Sequence, residues 1–386
     1  MPNLLVLIWL PTIAAFVGNI LPVFLGALAE VFDLDGRQLG LIAGAELGGT
    51  CLASLTAIFW FQRANLRQIA TLSLLAGVTG NLITGFAADF VQLAVIRFFT
   101  GFFGSGMLYA LVLGLIGQRK DPERTIALVV FVQVMSLAAG LSGIPLIMAH
   151  WQFQGVTVAL ALVFASGLPM LRFLSARAAP PLEAASTALS PGSSLAVALL
   201  LCLVLYCVGL NGLWAFLERI GAGTGHSMAS IGNALALTSL FGAAGAGLAA
   251  FVGTRAGYIT PLLAAIVSQA FCSLLLATSS DWGSFLVAVY LFNFCWNLAL
   301  PYILGAIALA DSSGRAMVLV PAAEMAGFAL GPLLMGIAMT DGNYQLAAYA
   351  SMIVFMASAL LLLWFVRKLP NVDRSKETAD EALHTL

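Results

Sequence analysis

The chain has 386 residues, of which 61% are hydrophobic and 9% charged, with a mean hydropathy of +1.02. Soluble domains carry about 25% charged residues, so no aqueous fold could hide this much apolar surface, and the solvent must be lipid. The net charge of −1 says nothing about nucleic acid, but no basic run is interleaved with aromatics, and no nucleic-acid partner is expected.

Apolar stretches of about 20 residues mark helices that cross a bilayer. Twelve are predicted, near 4–29, 38–61, 68–88, 90–117, 125–149, 153–174, 195–217, 228–252, 258–280, 282–310, 316–340 and 345–366. The expected fold class is therefore an all-α membrane protein. The first stretch lacks a basic region and a small-residue cleavage site, so it reads as a retained span rather than a signal peptide. The longest connector holds Pro180, Pro181, Pro191 and Gly192 and reads as a linker. This divides the chain into a six-helix bundle over 1–174, a cytoplasmic linker over 175–194, a second six-helix bundle over 195–367 and a cytoplasmic tail over 368–386. Thirteen of the 16 Lys and Arg residues fall on alternate connectors, which by the positive-inside rule predicts both termini cytoplasmic.

In chain order, the first polar interruption is Gly18-Asn19-Ile-Leu-Pro22 in span one. Span two carries Glu46, about 13 Å from its outer end and so near midplane. Glu46 shares a helical face with Leu39, Thr50, Ala53 and Ala57, a face expected to point inward. Span four carries Arg97 at similar depth. An arginine there is costly and faces the bundle interior and a partner. At 100° per residue, Gly101, Gly104 and Leu108 share its face, while Gly106, Ala110 and Gly114 form a small-xxx-small row on the opposite side. Burial favours the neutral form of Glu46 and a neighbouring arginine favours the anion. Glu46 is thus either a group that gains and loses a proton or half of a static pair with Arg97 that fixes packing.

Span seven places Asn211, Trp214 and Glu218 on one stripe. Glu218 and Arg219 lie near its outer end, where a wet interfacial location is expected. Span ten clusters Tyr290, Asn293, Trp296 and Asn297, with Pro301 a turn on. Span eleven carries Glu324 near midplane, sharing a face with Val320, Phe328 and Gly331. It is a second protonation candidate or a hydrogen-bonded structural acid.

Other chemistry is sparse. Cys51, Cys202, Cys207, Cys272 and Cys295 sit in apolar stretches without a C-x-x-C pair, as buried apolar residues do. His150, His226 and His384 are not spaced as metal ligands. Gly221-Ala-Gly-Thr-Gly225 lacks the Gly-Lys-Ser/Thr ending and preceding strand of a phosphate loop. No cofactor, metal site or enzyme activity is expected.

A weak internal repeat relates the halves. Ala139-Gly-Leu-Ser-Gly-Ile-Pro145 is similar to Ala326-Gly-Phe-Ala-Leu-Gly-Pro332, with Gly140 and Gly327 187 positions apart. Together with the twelve spans and the linker, these features resemble the major facilitator superfamily. Arg97-x-x-x-Gly101 with Gly104 and Gly106 is similar to the family's fourth-helix motif. The two glycine–proline segments resemble its motif in helices five and eleven. Gly18 to Pro22 is similar to the polar break in helix one of its drug-antiporter members. The loop Trp60-Phe-Gln-Arg63-Ala-Asn-Leu-Arg67 keeps the basic residues of the family's pattern there but lacks its aspartate. The resemblance implies a cavity lined by helices one, four, seven and ten. That makes Asn19, Arg97, Asn211, Trp214, Asn293 and Asn297 the candidate substrate-binding residues. Their alternative role is hydrogen bonding between helices.

The expected activity is secondary transport of a small organic solute by alternating access, as proton-coupled efflux or antiport. Glu46, Arg97 and Glu324 are the coupling residues. The competing expectation is proton-coupled uptake of an organic anion whose carboxylate pairs with Arg97. A more remote one is a non-transporting sensor or scaffold. The expected setting is a monomer in a bilayer, in a plasma membrane of the bacterial inner-membrane type, with small-molecule substrate and protons as partners.

Overall fold

The computed structural model describes residues 4–119, 122–174, 176, 194–310, 315–339 and 343–368. Most of the expected linker, the expected tail and His384 lie outside the described residues. Helices are the only regular secondary structure among the described residues. In order the helices are α1 Leu4–Asn19, α2 Leu21–Phe32, α3 Gly36–Trp60, α4 Leu66–Thr84, α5 Phe90–Phe99, a π-helical turn Thr100–Gly106, α6 Met107–Gly117 and α7 Pro122–Ala165. A 3₁₀ turn Leu168–Phe173 follows, then α8 Ser194–Ala222, α9 Met228–Val252, α10 Ile259–Thr278, α11 Trp282–Ala310, α12 Arg315–Ala338 and α13 Gln345–Lys368.

Among the described residues nine helices are long and apolar enough to cross a membrane, and the bent pair α1–α2 makes a tenth. The expected spans five and six run on as the single element α7. Gln152 interrupts it in the left-handed region (φ 55°), a conformation that turns the chain back. Dividing α7 there, and adding the shorter α4, recovers the twelve expected segments. The spans end where short polar side chains cap them. Asp35 accepts from the Gln38 amide at 2.7 Å, Asp89 from Gln92 at 2.8 Å and Asp281 from Ser284 at 2.8 Å. Asp281 is fully exposed, and hydrogen bonds from the Ser284 amide and then its hydroxyl hold its carboxyl below the usual range.

Large apolar side chains stand out on the surface, among them Phe59, Leu72, Phe86, Phe251 and Leu309. Such a surface suits acyl chains rather than water.

Span one is bent by 50° between α1 and α2. The cause is local: Pro22 has no amide hydrogen to continue the ladder, and Ile20 leaves the helical region at φ −90°, ψ 13°.

Helices α1–α7 and α8–α13 meet along three seams: α3 on α12, α2 on α8, and α7 on α9. Each seam uses glycine for close approach. A methyl at Gly40 would strike the Pro332 carbonyl and Gly336, one at Gly26 the Glu218 carboxylate, and one at Gly232 the Leu141 carbonyl. These contacts lie toward the end of the bundle that carries the connector 33–35 and the C-terminal end of α12. α4 and α6 pack within the first set, and α10 and α13 within the second.

The repeat is visible in the packing. Gly140 meets Phe16 and Ile20 of span one, and Gly327 meets Val204 and Cys207 of span seven, so the two halves use the same glycine in the same way. A second correspondence is closer: Gly49 abuts the Phe98 carbonyl and Gly245 the Phe294 carbonyl.

Candidate functional site

Arg97 is wholly buried and Glu46 is 3% exposed. The Arg97 Nε donates to Glu46 Oε2 at 3.1 Å, and Nη2 donates to Oε1. The pair is therefore bidentate, the strong geometry for guanidinium and carboxylate. Nη1 donates to Asn81 Oδ1 at 3.0 Å and to Thr84 Oγ1 at 3.2 Å. The Phe24 ring closes the last side, its centroid 4.9 Å from Arg97 Cζ. Four bonds therefore engage a guanidinium that has five N–H donors, and none of it faces water. The Thr84 hydroxyl in turn donates to the Gly80 carbonyl and the Asn81 amide to that of Gly77, both at 2.7 Å. Asn81 and Thr84 played no part in the expectation from sequence, although polar residues at i and i+3 inside an apolar stretch were a usable signal.

The backbone around Arg97 departs from the expected α-helix. Residues 100–106 form a π-helical turn, which carries five-residue rather than four-residue periodicity. Gly101 and Gly106 consequently face the same neighbour. The first abuts the Glu46 carbonyl and the second abuts Thr50 and Ala53, all on α3. The expectation that Gly106 lies opposite Gly101 fails for this reason. Gly104 turns instead to Gly77 of α4. Thr50 donates to both the Glu46 carbonyl at 3.1 Å and the Gly101 carbonyl at 3.2 Å, stitching α3 to the turn. The Glu46 face of α3 thus packs against span four.

The remaining candidates separate by location. Trp214 Nε1 donates to the Asn19 carbonyl at 3.2 Å. The α1–α2 break exposes that carbonyl, and the bond joins the two helix sets. Trp214 also meets the Trp296 ring edge-on at 6.2 Å, and Trp296 meets Phe328 at 6.3 Å. Asn211 donates to the Phe328 carbonyl at 2.9 Å, tying α8 to α12. Asn297 donates to Asn293 Oδ1 at 3.1 Å, and both amides press on Gly242 of α9.

That last cluster has a counterpart. The Gly49–Phe98 and Gly245–Phe294 contacts fix a shift of 196 positions between spans two and four and spans eight and ten. Under it Glu46 corresponds to Gly242, Arg97 to Asn293 and Gly101 to Asn297. One half fills this place with an ion pair, the other with two amides and a glycine.

Glu218 departs from expectation. It is 1% exposed, with Oε2 accepting from Arg219 Nε at 2.6 Å, and its carboxylate rests on Gly26 of α2. Arg219 also reaches Glu30 at 3.4 Å. The glycine in α2 removes the side chain that would have kept Glu218 out.

Glu324 is half-buried and enters none of the three ion pairs among the described residues. Cys202, Cys207, Cys272 and Cys295 are buried as expected, while Cys51 is partly exposed, and all five are free thiols. His150 and His226 are exposed, the latter stacked on Trp282 at 4.0 Å. The described residues hold no group of three His, Cys, Asp or Glu side chains able to bind a metal.

No curated protein matches the chain by sequence. Among solved structures it is similar to a bacterial homologue of the human lysosomal transporter Spinster in an inward-facing, unoccupied conformation. The TM-score is 0.74 at 15% identity over 94% of this chain and 96% of that one. The occupied inward-facing form of that homologue gives 0.74 and 15% over 96% and 97%. The D323A mutant of the nucleoside transporter NupG gives 0.74 and 11% over 94% and 99%. The family model of the Major Facilitator Superfamily matches residues 7–310 and 199–385. This chain, an integral membrane protein with a transporter fold, belongs to the Major Facilitator Superfamily.

Proposed function

We propose that the chain is a proton-coupled secondary transporter that expels a small organic solute by alternating access. Glu324 is the group that exchanges the proton. The observation that carries this reading is the contrast between the two midplane carboxylates. Glu46 is sealed in a bidentate pair, while Glu324, at comparable depth, stands half-exposed without an ion-pair partner among the described residues. A proton moves a conformational equilibrium only through different affinities for the two states. A carboxylate exposed in one state and covered in the other meets that condition, and a permanently sealed pair does not.

The seams between the helix sets support the rest. They are gathered at the end away from the termini, which is the arrangement of a rocker with that end shut and the other open. The positive-inside count makes the open end cytoplasmic, in a plasma membrane of the bacterial inner-membrane type. Within this reading Arg97–Glu46 is a rigid fixture that keeps spans two, three and four together. The burial of Arg97 and its four donated bonds weigh against its binding a substrate carboxylate.

The test is substrate-driven proton flux in proteoliposomes with an internal pH dye, screened over small amphipathic drugs and metabolites. Glu324→Gln is expected to abolish the coupled flux. Unchanged coupling in Glu324→Gln removes the proposal.

A further inference from the structure

Gly77 of α4 and Gly104 of the π-helical turn approach backbone to backbone. Ser73 lies one turn before Gly77 and Met107 one turn after Gly104, so they flank the same side of this crossing. There a cavity of about 320 Å³ opens, lined by Ile69, Leu72, Ser73, Ala76, Phe103 and Met107. That volume is at the lower end of small-molecule sites, about 300–1,000 Å³. α4 and the π turn pack on elements of the first helix set, and Leu72 and Phe103 are exposed. The cavity therefore gives onto the lipid-facing surface of that set. Its walls are formed in advance: the Phe103 ring stacks on Phe99 at 6.0 Å. Met107 adds a side chain that adapts to what it meets.

Ser73 is the one polar side chain in the lining. It is 1% exposed, and its hydroxyl has no hydrogen-bond partner among the described residues. The other hydroxyls of α4 behave differently. Thr71, Thr79 and Thr84 each donate to the carbonyl four residues back, at 2.7, 2.9 and 2.7 Å. Ser73 is seven residues into α4, or about 10 Å from its end, a depth at which acyl chains offer no partner. Leaving a buried hydroxyl unbonded is costly. A trapped water does not answer it, because such a water needs about two to four polar partners and the lining supplies one side chain. Charge is unsuited to the place. No ionisable side chain lines the cavity, and the arginine of α4, Arg67, donates to the carbonyls of Arg172 and Leu174.

From this we infer that the cavity is a binding site for an uncharged, lipid-soluble amphiphile that enters from the bilayer. Its single hydroxyl or carbonyl group bonds to Ser73, and its apolar body lies along Leu72, Phe103 and Met107. The ligand wedges between α4 and the π turn. The site is independent of the proposed proton-coupled transport, since it lies on the outer face of one helix set.

The experiment is photolabelling of the full-length protein in dioleoylphosphatidylcholine vesicles with a diazirine-bearing 1-hexadecanol, the labelled residues being read by peptide mass spectrometry. The competitors are 1-dodecanol, 2-tridecanone, dodecane and dodecyltrimethylammonium. Labelling is expected to concentrate at Leu72, Phe103 and Met107 over Leu240 and Phe251, exposed apolar residues of α9. The alcohol and the ketone should displace the probe, each at a concentration about threefold to tenfold below that of the alkane or the cation, the scale of one neutral hydrogen bond. Ser73→Ala should weaken displacement by 1-dodecanol about threefold to tenfold and leave that by dodecane unchanged. Ala76→Phe, which fills the cavity and keeps the hydroxyl, should abolish the concentrated labelling.

The site is overturned if labelling spreads evenly over exposed apolar residues, which marks adventitious lipid contact only. It is equally overturned if dodecane displaces the probe as well as 1-dodecanol does, or if Ser73→Ala leaves the affinity for the alcohol intact. The comparison of alcohol with alkane uses the wild-type protein alone, so it decides the matter even if a variant fails to fold. No readout involves flux, so failure of the transport reading leaves the site standing, and loss of the site leaves the transport reading untouched.

Discussion

Arg97 and Glu46 show what a buried ion pair costs and secures. Removing one partner leaves the other charged in a low-dielectric interior, a loss of about 3–5 kcal/mol. Glu46→Ala is expected to lower the melting temperature of the detergent-solubilised protein sharply, followed by fluorescence-detected size exclusion after heating. The doubly neutral Glu46→Gln/Arg97→Gln pair should recover most of the loss, since no lone charge remains. Equal damage in single and double variants would show that the charges matter beyond the pair. Arg97→Lys should fare worse than a conservative change suggests, because an ammonium cannot make the bidentate contact and also reach Asn81 and Thr84. Glu324 behaves oppositely: with no partner to strand, Glu324→Gln is expected to leave stability within about 0.5 kcal/mol, the range of changes away from buried networks. The two carboxylates looked equivalent in sequence. The partner that distinguishes Glu46 lies 51 positions away, while Glu324 enters no ion pair among the described residues.

At the scale of elements, the π-helical turn and the glycine seams set the geometry. The turn at 100–106 rotates Gly101 and Gly106 onto α3, which a uniform 100° per residue does not foresee. Glycine at 40 and 336 lets α3 and α12 touch backbone to backbone. A larger side chain there cannot fit while the seam is closed, and it costs little once the seam opens. Gly40→Val should therefore shift the population toward the alternate conformation. Spin labels at the exposed positions Arg37 and His226, one on each helix set, should report a longer distance in Gly40→Val than in the wild-type background. An unchanged distance distribution would mean that this seam is fixed. The 196-residue correspondence makes a related point. Asn293 and Asn297 occupy the place that Arg97 and Gly101 hold in the first half, and both amides meet Gly242 of α9.

For the whole molecule the decisive quantity is which end is open. The seams named here share one end. Single cysteines at Arg124 and Ala176 should react with an impermeant maleimide only from the side of the termini. Those at Arg37 and Gly225 should react only from the opposite side. Labelling of all four from one side would break the twelve-segment topology and the orientation together.

The sequence by itself determined the solvent, the segment count and the family. Those properties follow from summed hydropathy and from the alternation of Arg and Lys across connectors, which tertiary contacts do not alter. It also set an expected depth near midplane for Glu46, Arg97 and Glu324, because depth in a helix is a residue count times a fixed rise. Tertiary structure alone decided which of these charges is spent. Pairing depends on helix rotation and on which helices are neighbours, and both are set by backbone irregularities: the break at Ile20 and Pro22, the π turn after Arg97, and the glycines that admit Glu218 against Gly26. Such irregularities depend on cooperative packing of residues distant in the chain, so a periodicity read along one helix could not reveal that Glu218 is buried or that Asn81 and Thr84 complete the arginine's shell.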